Sequence, residues 1–210
     1  MKGIIFDMDG VIIDSEPLHY EIEQNLLNKL GGKLSEKEHA SFIGTTDYNM
    51  WSSLKKRFNL EPSVEEIIEM KKELFLGKID SIQLIDGFYE LMIQLHKHGY
   101  KLGLASSNNK KTVEAIVDKF KLNNYIKVIS SGEDVSNGKP NPEIFLTTAK
   151  KMNLNPKDCI VIEDAENGVI AAKKAGMKCI ALKGSNIGHQ DLSSADIIIE
   201  SFRELSIDQF

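Results

Sequence analysis

Gly3-Ile4-Ile5-Phe6-Asp7-Met8-Asp9-Gly10-Val11-Ile12-Ile13-Asp14 is the stretch that decides the fold. Ile4 to Phe6 is an apolar run without polar alternation, which predicts a strand buried on both faces, as in a parallel sheet. Asp7 and Asp9 follow at once. Side chains two apart along a strand project to the same side, so both acids face one point beyond the strand's carboxyl end. That edge is where open α/β sheets bind ligands. Gly10 lets the chain turn and brings bare backbone close to what is bound. Two crowded carboxylates repel unless a cation neutralises them. The pair implies either a divalent metal or a division of labour between a nucleophile and a proton carrier. The competing reading is a strand end whose aspartates only shape a turn. An EF-hand loop is excluded, because its fifth and twelfth positions, counted from Asp7, are Val11 and Leu18.

Downstream of this stretch the pattern changes twice. From Glu16 to Ile79 apolar residues recur at helical spacing. Leu18, Ile22, Leu26, Leu27 and Leu30 make one stripe, stopped by Gly31-Gly32; Ser35 to Glu38 reads as a capping box for a short helix ending near Gly44. Thr46 or Asp47 caps a third helix, with Met50, Trp51, Leu54 and Phe58 on one face. Ser63 to Glu66 caps a fourth. No strand is expected between about 15 and 80. From Asp86 onward, strands at Tyr100–Ala105, Lys127–Ser131, Cys159–Ile162, Lys178–Leu182 and Asp196–Glu200 alternate with helices, and a terminal helix is expected from Ser201. Strand–helix alternation means right-handed βαβ crossovers. The expected fold is α/β, a doubly wound parallel-sheet, Rossmann-like core of residues 1–14 and 81–210. A small all-helical domain, 15–80, is inserted after the first strand.

Composition limits the function classes. At 210 residues the chain suits one domain with a modest insertion, and 41% hydrophobic residues can fill a sizeable core. A formal net charge of −5 argues against a nucleic-acid or basic membrane-surface partner. No apolar stretch reaches the roughly 18 residues of a membrane span, and no signal peptide is expected because the N-terminus runs straight into a core strand. Cys159 and Cys179 read as reduced core thiols that neighbouring strands could bring close, and cytoplasm is the expected setting.

Three further strand ends carry polar groups. Ser106-Ser107-Asn108 follows an apolar strand and precedes a helix, where hydroxyls and backbone N–H groups suit a phosphate; an ordinary N-cap is the other reading. Gly138-Lys139-Pro140-Asn141-Pro142 clamps a lysine in a stiffened turn. Ile162 leads into Glu163-Asp164, again an apolar strand followed by acids. Taken in order, D-x-D-G, a serine after a strand, G-K-P-x-P and E-D resemble the haloacid dehalogenase superfamily of phosphotransferases. The match spans Asp7 to Asp164. The helical insertion and Asp14-Ser15-Glu16-Pro17 resemble its β-phosphoglucomutase-like branch.

The resemblance implies roles. Asp7 would be the nucleophile and Asp9 the general acid and base. Ser106 and Lys139 would hold phosphoryl oxygens, helped by Ser107 and Asn108. Mg²⁺ would be held by Asp7, the Asp9 carbonyl and Asp164, with Glu163 beside or behind it. His19 matches a proton-transferring histidine of the mutases, or is merely a half-exposed helix histidine. The mutases carry a lysine and an arginine flanking a glycine in the inserted domain. Here Ile43 and Asp47 stand at those positions, around Gly44 and Thr45. Asp47 there would repel a second phosphate, or else only caps its helix. The expectation is a monomeric Mg²⁺-dependent phosphatase of a small phosphorylated metabolite, a sugar or polyol phosphate. β-Phosphoglucomutase is the alternative; a dehalogenase, a phosphonate hydrolase and a non-catalytic partner protein rank lower.

Overall fold

The computed structural model describes residues 2–40, 42, 46–184 and 190–210, with Glu36 and Ala40 as backbone only. In chain order the elements are β1 (Gly3–Phe6), β2 (Ile13–Asp14), α1 (Glu16–Lys29), α2 (Glu36–Ala40), α3 (Asp47–Phe58), α4 (Val64–Gly77), β3 (Gln83–Leu84) and α5 (Phe88–Lys97). They continue with β4 (Lys101–Ala105), α6 (Lys110–Lys119), β5 (Val128–Ser130), α7 (Glu143–Lys151), β6 (Cys159–Glu163), α8 (Glu166–Lys174), β7 (Lys178–Leu182) and β8 (Ile197–Ile199). The chain forms two compact units. One is Ser15–Ile82, and the other takes the described residues on either side of it.

The α/β unit is built on one parallel sheet in the order β5-β4-β1-β6-β7-β8. The chain runs outward from β1 through β4 to β5, then returns to lay β6 on the other side of β1. The order therefore reverses at β1, the switch point beyond whose strand ends open α/β sheets bind their ligands. Every residue of β1 and β6 is buried, which is why their sequences show no alternation. One face packs Ile5, Ala105, Phe145, Val161, Val169 and Cys179 into a single core.

Beside the expected sheet stand one unforeseen strand pair, one expected helix that does not form, and the two expected free thiols. The two-stranded antiparallel pair β2–β3, where Ile13 faces Leu84 and Asp14 faces Gln83, was not foreseen. Strands of two residues carry no periodicity to read. No terminal α-helix follows Ser201. Capping boxes at Ser201–Glu204 and Ser206–Gln209 come five residues apart and close two short 3₁₀ turns instead. The cysteines are free, buried and out of register, because Cys179 pairs with Val161 rather than Cys159. No helix among the described residues is long and apolar enough to cross a membrane.

The helical unit packs α1, α3 and α4 around Leu26, Leu27, Met50, Trp51, Leu54 and Ile67. Beside this apolar core lies a buried ionic network. Lys71 of α4 reaches Glu23 of α1 at 2.6 Å and Asp47 of α3 at 2.5 Å, and the other Glu23 oxygen lies 2.5 Å from His39 Nε2. Burial raises the Glu23 carboxyl, but His39 and Lys71 outweigh it and hold the group below its ordinary range. The network is thus intact at neutral pH and fails as acid titrates Glu23. Removing one member of such a set leaves a buried charge uncompensated. Lys71→Met is therefore expected to cost about 3–5 kcal/mol. Trp51, the chain's one tryptophan, is fully buried in this unit's core, so its fluorescence during urea unfolding reports the loss directly. A change below about 1 kcal/mol would make the network no stronger than a surface pair.

Candidate active site

Asp7 leaves β1 directly, and its N–H donates to the Ile162 carbonyl at 2.9 Å, fixing the first acid between β1 and β6. The turn beyond is closed by the N–H groups of Ile12 and Ile13, which donate to the Met8 carbonyl at 2.8 and 3.0 Å. Gly10 has φ of 72°, and a Cβ there would stand 1.9 Å from Asp164 Oδ2. Only glycine both permits the turn and leaves that carboxylate its place.

Lys139 arrives on the loop after β5. Its ammonium donates to Asp7 Oδ1 and, at 2.6 Å, to Glu163 Oε1, and it lies 4.9 Å from the centroid of the Phe145 ring. The loop owes its shape to local hydrogen bonds. Glu143, opening α7, accepts from the Ser136 N–H at 2.9 Å and from the Asn137 N–H and side-chain amide, both at 3.0 Å. Asn141 N–H donates to the Gly138 carbonyl at 3.0 Å. Glu143 was not singled out from sequence, although an acid just after a Pro-Asn-Pro turn is the signal of a side chain folding back on its own loop.

Glu163 ends β6 and is 1% exposed. Lys139 occupies Oε1, and the N–H groups of Asp164 and Ala165 donate to Oε2 at 2.8 and 2.9 Å. With both oxygens engaged, Glu163 braces the lysine and the turn. Gly168 lies beneath it, and a Cβ there would sit 1.7 Å from Glu163 Oε1. A glycine inside a helix is the sequence mark of such a close approach.

Asp7, Glu163 and Asp164 each present a carboxylate oxygen, and these oxygens lie within 4.8 Å of one another. Burial is the largest influence on Asp7. Lys139 opposes it, but Glu163 and Asp9 add to it, and the carboxyl is pushed up to about 8. Asp164 is raised well above the carboxylate range by burial, then by Glu163 and Asp7. Burial pulls Lys139 down, yet Asp7 and Glu163 prevail and hold its ammonium above the usual lysine range. Buried hard oxygens carrying more negative charge than one lysine balances fit a divalent cation of the Mg²⁺ type.

Ser106 is fully buried at the end of β4, and its N–H donates to the Ser130 carbonyl at 3.0 Å. Asn108 donates from its side-chain amide to Asp9 Oδ2 at 2.5 Å. Ser107 is exposed on the same loop. The α/β unit thus carries Asp7, Asp9, Ser106, Ser107, Asn108, Lys139, Glu163 and Asp164 on the carboxyl ends of β1, β4 and β6 and on the loop after β5. His19 and Asp47 belong to the helical unit. His19 stacks on Phe75 with ring centroids 4.7 Å apart, and Asp47 is paired with Lys71. Thr45, like Ile43 and Gly44, lies outside the described residues. Glu23 escaped the sequence reading, although an acid three and four residues before Leu26 and Leu27 stands on the apolar face of its helix.

Residues 4–182 match the family model described as haloacid dehalogenase-like hydrolase. The chain is similar to the phosphorylated carbohydrates phosphatase of Thermotoga maritima, with 31% identity over 86% of this chain and 84% of that protein. It is similar to β-phosphoglucomutase of Bacillus subtilis, with 29% identity over 99% of this chain and 93% of that protein. Among solved structures, CbbY from Rhodobacter sphaeroides in complex with phosphate superposes with a TM-score of 0.87 at 26% identity, covering 98% of this chain and 96% of that one. Fold, acid-bearing strand ends and relatives agree: the chain belongs to the haloacid dehalogenase-like hydrolases, in their β-phosphoglucomutase-like branch, and is a phosphoric monoester hydrolase.

Proposed function

We propose that this enzyme is a Mg²⁺-dependent phosphatase of small phosphorylated metabolites, sugar or polyol phosphates, working through an aspartyl-phosphate on Asp7. The observation that carries this reading is Asp7 itself, a buried carboxylate at the sheet's switch point, held by Lys139 and crowded by Glu163 and Asp164. In the first displacement an Asp7 oxygen attacks phosphorus, the ester P–O bond breaks, and Asp9 gives its proton to the departing oxygen. In the second, water attacks the phosphoryl group, Asp9 takes the water's proton, and the Asp7–phosphorus bond breaks to release phosphate. Lys139 and the Ser106 hydroxyl bind the phosphoryl oxygens as charge redistributes over them. Asp7, Asp164 and the Asp9 carbonyl would hold Mg²⁺, with Glu163 behind them. The ion would supply positive charge where an anionic carboxylate meets an anionic phosphate.

The helical unit, read as the substrate-selecting domain, supports a monophosphate substrate. Lys71, a candidate among the described residues to grip a second phosphate, already has its charge matched by Glu23 and Asp47. That favours hydrolysis over the mutase alternative, which must hold a bisphosphate while it reorients. The reading takes the enzyme as a cytoplasmic monomer, in keeping with two free thiols; His19 would assist proton transfer, and Thr45 and Asp47 would contact substrate. A panel of sugar and polyol phosphates, assayed for phosphate release and set against glucose 1-phosphate with a bisphosphate primer, tests the choice. Conversion of glucose 1-phosphate to glucose 6-phosphate outpacing phosphate release would replace phosphatase with mutase.

Metal removal is the direct test of the cation. Turnover is expected to vanish in EDTA and return with Mg²⁺. Ca²⁺ is expected to inhibit, because its higher coordination number draws both oxygens of a carboxylate and removes the attacking one. Undiminished activity in EDTA would overturn the metal assignment.

A further inference from the structure

We infer that Asn108 is the positioning residue that joins the phosphoryl-binding serine to the proton carrier, an inference that rests on the phosphatase reading. Its side-chain amide stands between residues from two different strands. Nδ2 donates to Asp9 Oδ2 at 2.5 Å and to Ser106 Oγ at 3.4 Å, and the Asn108 backbone N–H donates to the same Ser106 Oγ at 3.1 Å. The loop that carries it is pinned. Gly132 N–H donates to the Asn108 carbonyl at 2.7 Å, and a Cβ on Gly132 would lie 2.4 Å from the Ser107 carbonyl oxygen. Asn108 is half-buried and Ser106 wholly buried.

The consequence follows from counting donors and lone pairs. A serine hydroxyl has one proton to give and two lone pairs that accept. With both Asn108 N–H groups directed at Ser106 Oγ, its accepting capacity is used from one side, and its own proton is directed elsewhere, as a donor to a phosphoryl oxygen. On Asp9, the amide hydrogen bond fixes Oδ2 and with it the orientation of the carboxyl group that exchanges a proton with the ester or the water. An asparagine suits this role because its NH₂ carries two donors on one rigid plane. A group that only contacted substrate would have no need of both internal bonds. Asn108 therefore acts through Ser106 and Asp9, and its loss disturbs the chemical step more than binding.

The test uses the full-length Mg²⁺-loaded enzyme with two probes, glucose 6-phosphate and p-nitrophenyl phosphate, whose aryl oxide departs without needing a proton. Asn108→Ala is expected to lower kcat for glucose 6-phosphate by about a hundredfold, the scale of a small misplacement of reacting groups, with little change in KM. The aryl ester is expected to lose less. Asn108→Asp keeps the shape but sets a carboxylate against Asp9, and is expected to fall further than alanine. In the cycle with Ser106→Ala, the double variant is expected to lose less than the product of the single losses, because both disturb one unit. A rise in KM with kcat unchanged would make Asn108 a substrate contact and overturn the inference, as would independent losses in the cycle. Thermal melting of each variant guards against misfolding, and the isosteric aspartate decides if the alanine variant does not fold. A wild-type enzyme inactive on both esters would instead fail the phosphatase reading and take the inference with it, whereas an active wild type matched by an equally active Asn108→Ala would sink the inference alone.

Discussion

Asp7→Asn is expected to abolish phosphate release from every ester, by roughly 10⁴-fold or more, the scale on which nucleophile loss is felt. The amide oxygen is a far weaker nucleophile than a carboxylate and a poorer partner for both Lys139 and a divalent cation. The fold is expected to survive. The Asp7 carboxyl is raised on folding from 3.8 to about 8, so its ionised form costs stability once pH climbs past the unfolded value. A neutral amide removes that cost, while Lys139 keeps Glu163 as its partner at 2.6 Å. Metal-free Asp7→Asn should therefore melt no lower than the metal-free parent at pH 8. Scanning calorimetry and a phosphate-release assay on the same preparation settle both halves. A few per cent of residual turnover would move the nucleophile elsewhere, and a collapsed melting temperature would mean that the carboxylate is structural.

Asp9→Asn carries the second largest effect and separates the two displacements. General acid–base assistance is worth roughly 10²–10⁴-fold, and a sugar phosphate needs it twice, once for the leaving oxygen and once for the attacking water. p-Nitrophenyl phosphate needs it only for the water. The variant is expected to release p-nitrophenol in a burst close to one equivalent per enzyme and then stall, with the phosphoryl group held on Asp7. Glucose 6-phosphate should show neither burst nor turnover. Rapid-mixing absorbance reads the burst, and mass measurement of the quenched enzyme reads the added phosphoryl group. A loss under tenfold on the sugar phosphate would remove Asp9 from the acid–base role. Absence of the burst would confine its role to the first step or to holding the turn.

What could be read without coordinates was whatever one stretch of chain decides for itself. Ile4 to Phe6 had to be a doubly buried strand because nothing polar interrupts it, and Asp7 and Asp9 had to lie just past its carboxyl end because they follow it directly in the chain. The boxes at Ser63 and Ser35 start helices through contacts three residues long. Glycine and proline around Lys139 announced a stiff turn, although Glu143 folding back on that turn went unread. The four polar strand ends could be lined up in order, and that order carried the family.

Tertiary structure decided which distant groups meet. Asp9 and Asn108 lie 99 positions apart and Asp7 and Lys139 132 apart; only the parallel pairing that sets β4 beside β1 and β5 beside β4 brings them within hydrogen-bond reach. Nothing in the residues around Lys71 says where its ammonium goes, and helix packing places it between Glu23 and Asp47, where two carboxylates claim it. Gly10 was readable as a turn residue, but that it makes room for the Asp164 carboxylate depends on how the loops after β1 and β6 meet. The physical reason is range. Propensity, capping and turn chemistry act over three or four residues and are written in the local sequence, whereas a charge's partner is chosen by packing, which no single stretch of chain encodes.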